Sequence, residues 1–257
     1  CVLTCSGIIM SKMSQSAIKP LIGINLDIKG GPPEVASIQT TYTDAIINSG
    51  GIPVLLPPMS KEDLASVVAR LDGIMLIGGD DYCPSLYNEE PHDALELAHH
   101  RRQAFDLLLA GIALDKHDMP VLGICLGAQL INIQQGGSLV QDIKTFIPDS
   151  QVEHVTKNGW QDGFTRHSVK LQSGSQLATV YKEQSFDVPT SHHQSVKAVG
   201  RDLTVSAQAD DGVIEAIEMP GRSFVIGVQW HPERDYETNK PLFDKLVEVS
   251  SRQCGAS

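Results

Sequence analysis

Between residues 21 and 134, short apolar runs alternate four times with stretches of helical periodicity. LIGINLD (21–27), IPVLLP (52–57), GIMLI (73–77) and PVLGI (120–124) read as strands. They are apolar nearly throughout rather than at every second residue, the pattern of strands covered on both faces. Between them, Ile38, Tyr42, Ala45 and Ile46 share a helical face over 38–49, and Gly50-Gly51 ends that segment. Ser60 and Asp63 have capping-box spacing and predict a helix start. Further helices are expected over about 99–113 and 126–134. A βαβαβαβα order predicts an α/β fold with a mostly parallel central sheet and helices on both faces. From about His167 the pattern changes. HSVKL, LTVSAQ, VIEAIEM and FVIGVQW predict strands joined by short turns, a smaller antiparallel region, and PLFDKLVEV (241–249) predicts a closing helix.

Residues 18–257 read as one domain without linker, low-complexity tract or repeat, and residues 1–17 as a loose leader outside it. No apolar run approaches the roughly 20 residues that span a bilayer. With 20 Lys and Arg against 31 Asp and Glu, the net charge is −11. That argues against a general nucleic-acid binder, which needs a cationic face. Five cysteines, at 1, 5, 83, 125 and 254, are odd in number and widely spaced. This fits a reduced, cytoplasmic setting better than a disulfide framework. Gly78-Gly79 and Gly136-Gly137 form neither G-x-G-x-x-G nor a P-loop. The pairs His99-His100 and His192-His193 are set aside as metal ligands, because adjacent side chains diverge and no ligand set has zinc spacing. No cofactor and no metal are expected.

Gly123-Ile124-Cys125-Leu126-Gly127 joins the fourth strand to its helix. Glycines two residues either side let the chain turn sharply and let helix and strand approach. Cys125 would then stand at the strand's C-terminal end, where the free N–H groups and positive dipole of a helix start favour a thiolate. A small buried core cysteine fits the same string. The second candidate segment, Gly227-Val228-Gln229-Trp230-His231-Pro232-Glu233, closes the last strand. If extended, it sends His231 and Glu233 to one side. A carboxylate on one imidazole nitrogen leaves the other free to exchange a proton with a thiol. A surface histidine capped by glutamate is the alternative for an isolated H-P-E.

G-I-C-L-G-x-Q and W-H-P-E together resemble the two signature segments of class I glutamine amidotransferase domains. Gly78-Gly79-Asp80-Asp81-Tyr82-Cys83-Pro84-Ser85-Leu86-Tyr87-Asn88-Glu89-Glu90-Pro91 is similar to the G-G-x-D-x-x-P-x-x-Y-x-E-E-P stretch of the γ-glutamyl-γ-aminobutyrate hydrolase family, hydrolases of polyamine breakdown. YTDAIINSGGIPVLLP (42–57), LDGIMLIGG (71–79) and SHHQSV (191–196) extend the resemblance over about residues 20–250.

The resemblance implies a flavodoxin-like glutamine amidotransferase fold and cleavage of a small γ-glutamyl amide through a thioester. It implies Cys125 as nucleophile, His231 as base and acid, Glu233 as its orienting partner, and the N–H groups of Gly79 and Leu126 as oxyanion hole. Gln129, Ser191, His193 and Gln194 would contact the substrate, with His192 in the same segment. The partner is the small-molecule substrate, with no nucleic acid or membrane; a homodimer is left open. The chain departs from the family at Asp80, where a glycine is common, at Cys83, at Pro189-Thr190 and at Arg102-Gln103. These leave the leaving amine open. The rival readings are a glutaminase subunit feeding ammonia to a synthase, a folate poly-γ-glutamate hydrolase, and a non-catalytic binding protein.

Overall fold

The computed structural model describes residues 18–157 and 163–251. The leader expected over 1–17 lies outside them, as do Cys1, Cys5 and Cys254. In chain order the elements are β1 (Leu21–Asn25), β2 (Asp27–Lys29), β3 (Val35–Ser37), α1 (Thr40–Asn48), β4 (Ile52–Leu56), α2 (Lys61–Val68), β5 (Gly73–Leu76), α3 (His100–Asp115), β6 (Val121–Ile124), α4 (Leu126–Gln134), β7 (Ser138–Val140), α5 (Ile143–Phe146), β8 (Thr165–Leu171), α6 (Gln176–Tyr181), β9 (Ser185–Thr190), β10 (Ser195–Ala198), β11 (Thr204–Ala209), β12 (Ile214–Glu218), β13 (Val225–Val228) and α7 (Tyr236–Ser251).

One continuous sheet runs β4-β1-β5-β6-β13-β12-β11-β8-β9, with β10 and β7 attached at β12. The five strands from β4 to β13 are parallel. In chain order they read 2-1-3-4-5, the flavodoxin-like arrangement. From β12 onward every pairing is antiparallel. The mostly parallel sheet with a smaller antiparallel region therefore holds. β5, β6 and β13 are buried at every residue, which explains their unbroken apolar sequences.

One face of the sheet is covered by α2, α3 and α4 through Leu64, Phe105, Leu109 and Leu130. The other is covered by α1 and α7 through Tyr42, Ile46, Leu242, Phe243 and Leu246. Each such side chain, when fully buried, contributes about 1.5–3 kcal/mol. Ser60 caps α2 as its spacing predicts, accepting from the Asp63 N–H at 3.1 Å. The closing helix begins at Tyr236, not at Pro241. Pro241, expected at the start of the helix, lies instead in its second turn, where it leaves the Glu237 carbonyl without its helical donor. No described helix is long and apolar enough to cross a membrane.

The register places the ends of three neighbouring strands level. Leu76 pairs with Gly123, and Val228 with Ile124. The segments leaving β5, β6 and β13 therefore emerge side by side, and they carry Gly78-Gly79, Cys125 and His231.

Candidate active site

Cys125 sits between β6 and α4 with φ +52° and ψ −106°. A non-glycine residue here is strained, typically by about 1–3 kcal/mol. The sharp turn is thus carried by the cysteine itself. The flanking glycines do the second task expected of them, close approach. A Cβ on Gly123 would lie 2.5 Å from the Gly127 carbonyl, and one on Gly127 would run into the Leu76 carbonyl. The Cys125 N–H still bonds to the Val228 carbonyl at 2.8 Å, tying the turn to β13. Its side chain is 6% exposed, and Gln229 Nε2 lies 3.5 Å from Sγ.

His231 and Glu233 meet, but not for the reason their spacing suggests. Pro232–Arg234 forms a 3-10 turn instead of an extended segment. The curled backbone brings Glu233 Oε1 to 2.9 Å from His231 Nδ1. The His231 N–H bonds to the Pro189 carbonyl at 2.9 Å, so β9 anchors the histidine. Phe164 packs edge-on against the ring and Arg234 lies over Phe164, which shields the imidazole from water. With Nδ1 engaged by Glu233, Nε2 faces Cys125, and the two side chains interact. Burial alone would favour neutral imidazole, but the charges of Glu233 and Cys125 outweigh it and push the His231 pKa up to about 10.

The segment after β5 is held by groups with no sequence signature. The Gly78 N–H donates to the Tyr42 hydroxyl at 3.2 Å. Arg102, wholly buried on α3, donates to the Gly78 carbonyl at 2.7 Å and to Asp27 at 2.8 Å. It also pairs with Asp106 at 3.2 Å, whose carboxylate accepts from Asn25 and Tyr82. A Cβ on Gly79 would overlap the Arg102 guanidinium, so only glycine fits there. Leu126 is the first residue of α4, and its N–H has no carbonyl a turn behind to receive it.

Gly79, Cys125, Leu126, Gln129, Ser191, His193 and Gln194 all line one cavity of about 260 Å³, bordered also by Asp80, Asp81, Glu96 and Lys157. Gln129 Oε1, Ser191 Oγ and Gln194 Oε1 are buried with no hydrogen-bond partner among the described residues. They are therefore available to a ligand. His192 and His193 diverge as expected. His193 Nε2 reaches the Asp81 carboxylate at 3.0 Å, whereas His192 turns toward Glu215. Of the departing positions, Asp80 borders the cavity, and burial raises its pKa. Gln103 instead receives the Cys83 N–H at 2.8 Å.

A thiol on a strained turn, an imidazole oriented by a carboxylate and two candidate N–H donors make a set suited to acyl transfer. The model of the Peptidase C26 family matches residues 20–233. The chain belongs to the Peptidase C26 family. This family is class I glutamine amidotransferase-like and hydrolase in type. Among its relatives, a Mycobacterium tuberculosis protein named "Putative glutamine amidotransferase Rv2859c" is 38% identical, covering 93% of this chain and 77% of its own. The gamma-glutamyl-gamma-aminobutyrate hydrolase PuuD of Escherichia coli is 31% identical, covering 89% of this chain and 92% of its own. The glutaminase domain of Trypanosoma brucei CTPS, solved with bound acivicin, superposes with a TM-score of 0.58 at 17% identity, over 91% of this chain and 94% of that one. That last likeness shows that the Peptidase C26 chain shares the glutamine amidotransferase fold.

The roles of Gln229, Arg102, Asp106 and Tyr42 at the site were not foreseen from the sequence. Gln229 directly precedes the W-H-P-E segment and Tyr42 opens 42–57. Arg102 and Asp106 have the i,i+4 spacing of a helical ion pair, but their other partners lie about 24–81 positions away along the chain, so nothing local marks the pair as the clamp on Gly78.

Proposed function

We propose that this protein hydrolyses the γ-glutamyl amide bond of a small γ-glutamyl amine, releasing glutamate and the amine. The observation that carries the reading is the convergence of Cys125, His231 and Glu233 at level strand ends beside a cavity lined by Gly79 and Leu126. The Cys125 sulfur attacks the δ-carbonyl. The charge developing on oxygen is met by the Gly79 and Leu126 N–H groups, each worth about 3 kcal/mol of barrier. His231 delivers its proton to the departing amine as the C–N bond breaks, leaving a γ-glutamyl thioester.

The state of His231 changes usefully along this path. In the free protein the Cys125 charge helps to hold its proton, which suits an acid. In the thioester that sulfur is neutral, so the imidazole loses a stabilising charge and becomes a better base. Water activated by His231 then attacks the thioester, and Cys125 leaves as thiolate. The unpartnered oxygens of Gln129 and Gln194 suit the ammonium of a glutamyl head, and the Ser191 hydroxyl can donate to its carboxylate. Asp80, Asp81, Glu96 and Lys157 line the same cavity and would read the amine portion. The likeness to PuuD supports γ-glutamyl-γ-aminobutyrate as the first substrate to try.

The test is a glutamate-release assay over γ-glutamyl-γ-aminobutyrate, other γ-glutamyl amines, glutamine and a folyl poly-γ-glutamate, without any partner protein. Turnover of a γ-glutamyl amine exceeding that of glutamine, lost in a folded Cys125→Ala variant, is the expected result. Undiminished turnover by that variant would refute the assignment.

A further inference from the structure

Four side chains with no common sequence motif meet in the interior beside the cavity. They are His154, His167 on β8, His192 and Glu215 on β12. All four are buried, Glu215 completely. His154 Nδ1, His167 Nε2 and His192 Nε2 lie 3.1, 3.3 and 3.5 Å from Glu215 Oε1. None of these three nitrogens, and neither Glu215 oxygen, meets hydrogen-bond geometry with another group among the described residues.

The outer nitrogens explain why this arrangement is unusual. His154 Nε2 lies 2.9 Å from the Asp211 carboxylate. His192 Nδ1 lies 2.8 Å from the Gln194 carbonyl, and His167 Nδ1 lies 3.2 Å from the Ser168 carbonyl. Each contact is to an oxygen that only accepts, so each outer nitrogen carries the hydrogen. A ring that carries only that hydrogen turns the lone pair of its other nitrogen inward, against a carboxylate oxygen. Four acceptors facing one another in a dry interior require a positive charge among them.

We propose that these four side chains bind a divalent transition metal of the zinc class, through three imidazoles and one carboxylate. Zinc bonds of about 2.0–2.2 Å at tetrahedral angles put ligand atoms roughly 3.3 Å apart, close to the three separations to Oε1. All four atoms lie within 4.8 Å of one another, so a modest inward movement completes the tetrahedron. In such a site lone pairs aim at the centre and not at the neighbouring ligand, which accounts for short N···O separations without hydrogen-bond geometry. Outer N–H groups held by a carboxylate or carbonyls are the usual support of ligating histidines. An imidazole-rich set disfavours calcium and magnesium. A dication, the Glu215 charge and the Asp211 charge sum to zero.

The site would pin the pocket wall. His192 lines the cavity, and His154 precedes Val155, Thr156 and Lys157, which also line it. The metal joins both segments to β8 and β12. With four protein ligands it has no open position and takes no part in the chemistry.

The experiment strips the full chain with a chelator, adds zinc, dialyses, and measures retained metal by mass spectrometry together with the melting temperature. Retention of one zinc per chain with a raised melting temperature is expected. Cobalt in its place should show four-coordinate visible bands without a sulfur charge-transfer band. Histidine NMR should find Nε2–H on His154 and Nδ1–H on His167 and His192. Cys125→Ser should keep the metal and Glu215→Gln should release it. Wild-type protein that retains no zinc, or whose metal leaves with Cys125→Ser, or whose cobalt is bound by sulfur, overturns the proposal without touching the hydrolase reading. Retention by a folded Glu215→Gln variant overturns it too.

Discussion

Replacing Arg102 with methionine keeps most of the side chain's volume and removes its charge. In the native protein the guanidinium joins Asp106, Asp27 and the Gly78 carbonyl with no exposed surface. Its loss leaves Asp106 buried with only Asn25 and Tyr82 as donors. Removing one member of a buried ion pair costs about 3–5 kcal/mol. At roughly 2–4 °C per kcal/mol for a chain of this size, the melting temperature should fall by about 6–20 °C. The loss should depend on pH in a defined direction. Burial already raises the Asp106 pKa, and Arg102 is the nearest charge lowering it. In the variant this pKa rises further above its unfolded value of about 3.9. A carboxyl raised on folding destabilises the native state as pH climbs above the unfolded value, and the penalty disappears on acidification. The deficit against wild type should therefore be smaller at pH 5.5 than at pH 8, as read by thermal melts on about a half-unit pH grid. Adding Asp106→Asn should recover part of it at pH 8. The Gly78 carbonyl would also be untethered, so kcat should drop by about tenfold to a hundredfold, on the scale of a small misplacement of catalytic groups. A variant melting within about 2 °C of wild type at pH 8, or a deficit that grows on acidification, would refute the reasoning.

Gly79→Ala should lower kcat by on the order of a hundredfold, with KM less affected, because the added methyl must displace either Arg102 or the backbone N–H; steady-state kinetics beside a melting curve check it, and wild-type kcat would contradict it. Ser191→Ala removes a buried hydroxyl with no hydrogen-bond partner among the described residues, so KM should rise up to about tenfold at unchanged kcat and melting temperature. The His231 imidazole should titrate near pH 10 by NMR, and alkylating Cys125, which removes the sulfur charge, should lower that midpoint. Because this histidine is raised above its unfolded value of about 6.5, its contribution to stability is complete below pH 6.5 and lost as pH rises through about 10. Wild type should thus lose melting temperature over that interval more steeply than His231→Gln.

The parallel half was legible because β1, β5, β6 and β13 are buried on both faces and most of its helices on one, and burial writes itself into local periodicity; the edge strand β4 departs from that expectation, leaving Ile52 and Leu55 exposed despite its apolar run. Cys125 was legible for a related reason, since Gly123 and Gly127 are required wherever a helix and strand approach so closely. β9 and β10 were not foreseen. Pro189 interrupts β9, and β10 is half exposed, so neither shows strand alternation. The meeting of His231 and Glu233 was foreseen on a mistaken backbone, because Pro232 suits the first position of a 3-10 turn as readily as an extended chain.

Order along the chain determined the sheet type, the position of the turn at Cys125 and the pairing of His231 with Glu233, because each is a matter of neighbours within a few residues. Tertiary structure alone decided what clamps the Gly78 carbonyl, which polar atoms are left unpartnered in the cavity, and that His154, His167, His192 and Glu215 share one pocket of the interior. Those groups are separated by tens of positions, and no local pattern records a contact whose energy depends on both ends being taken out of water together.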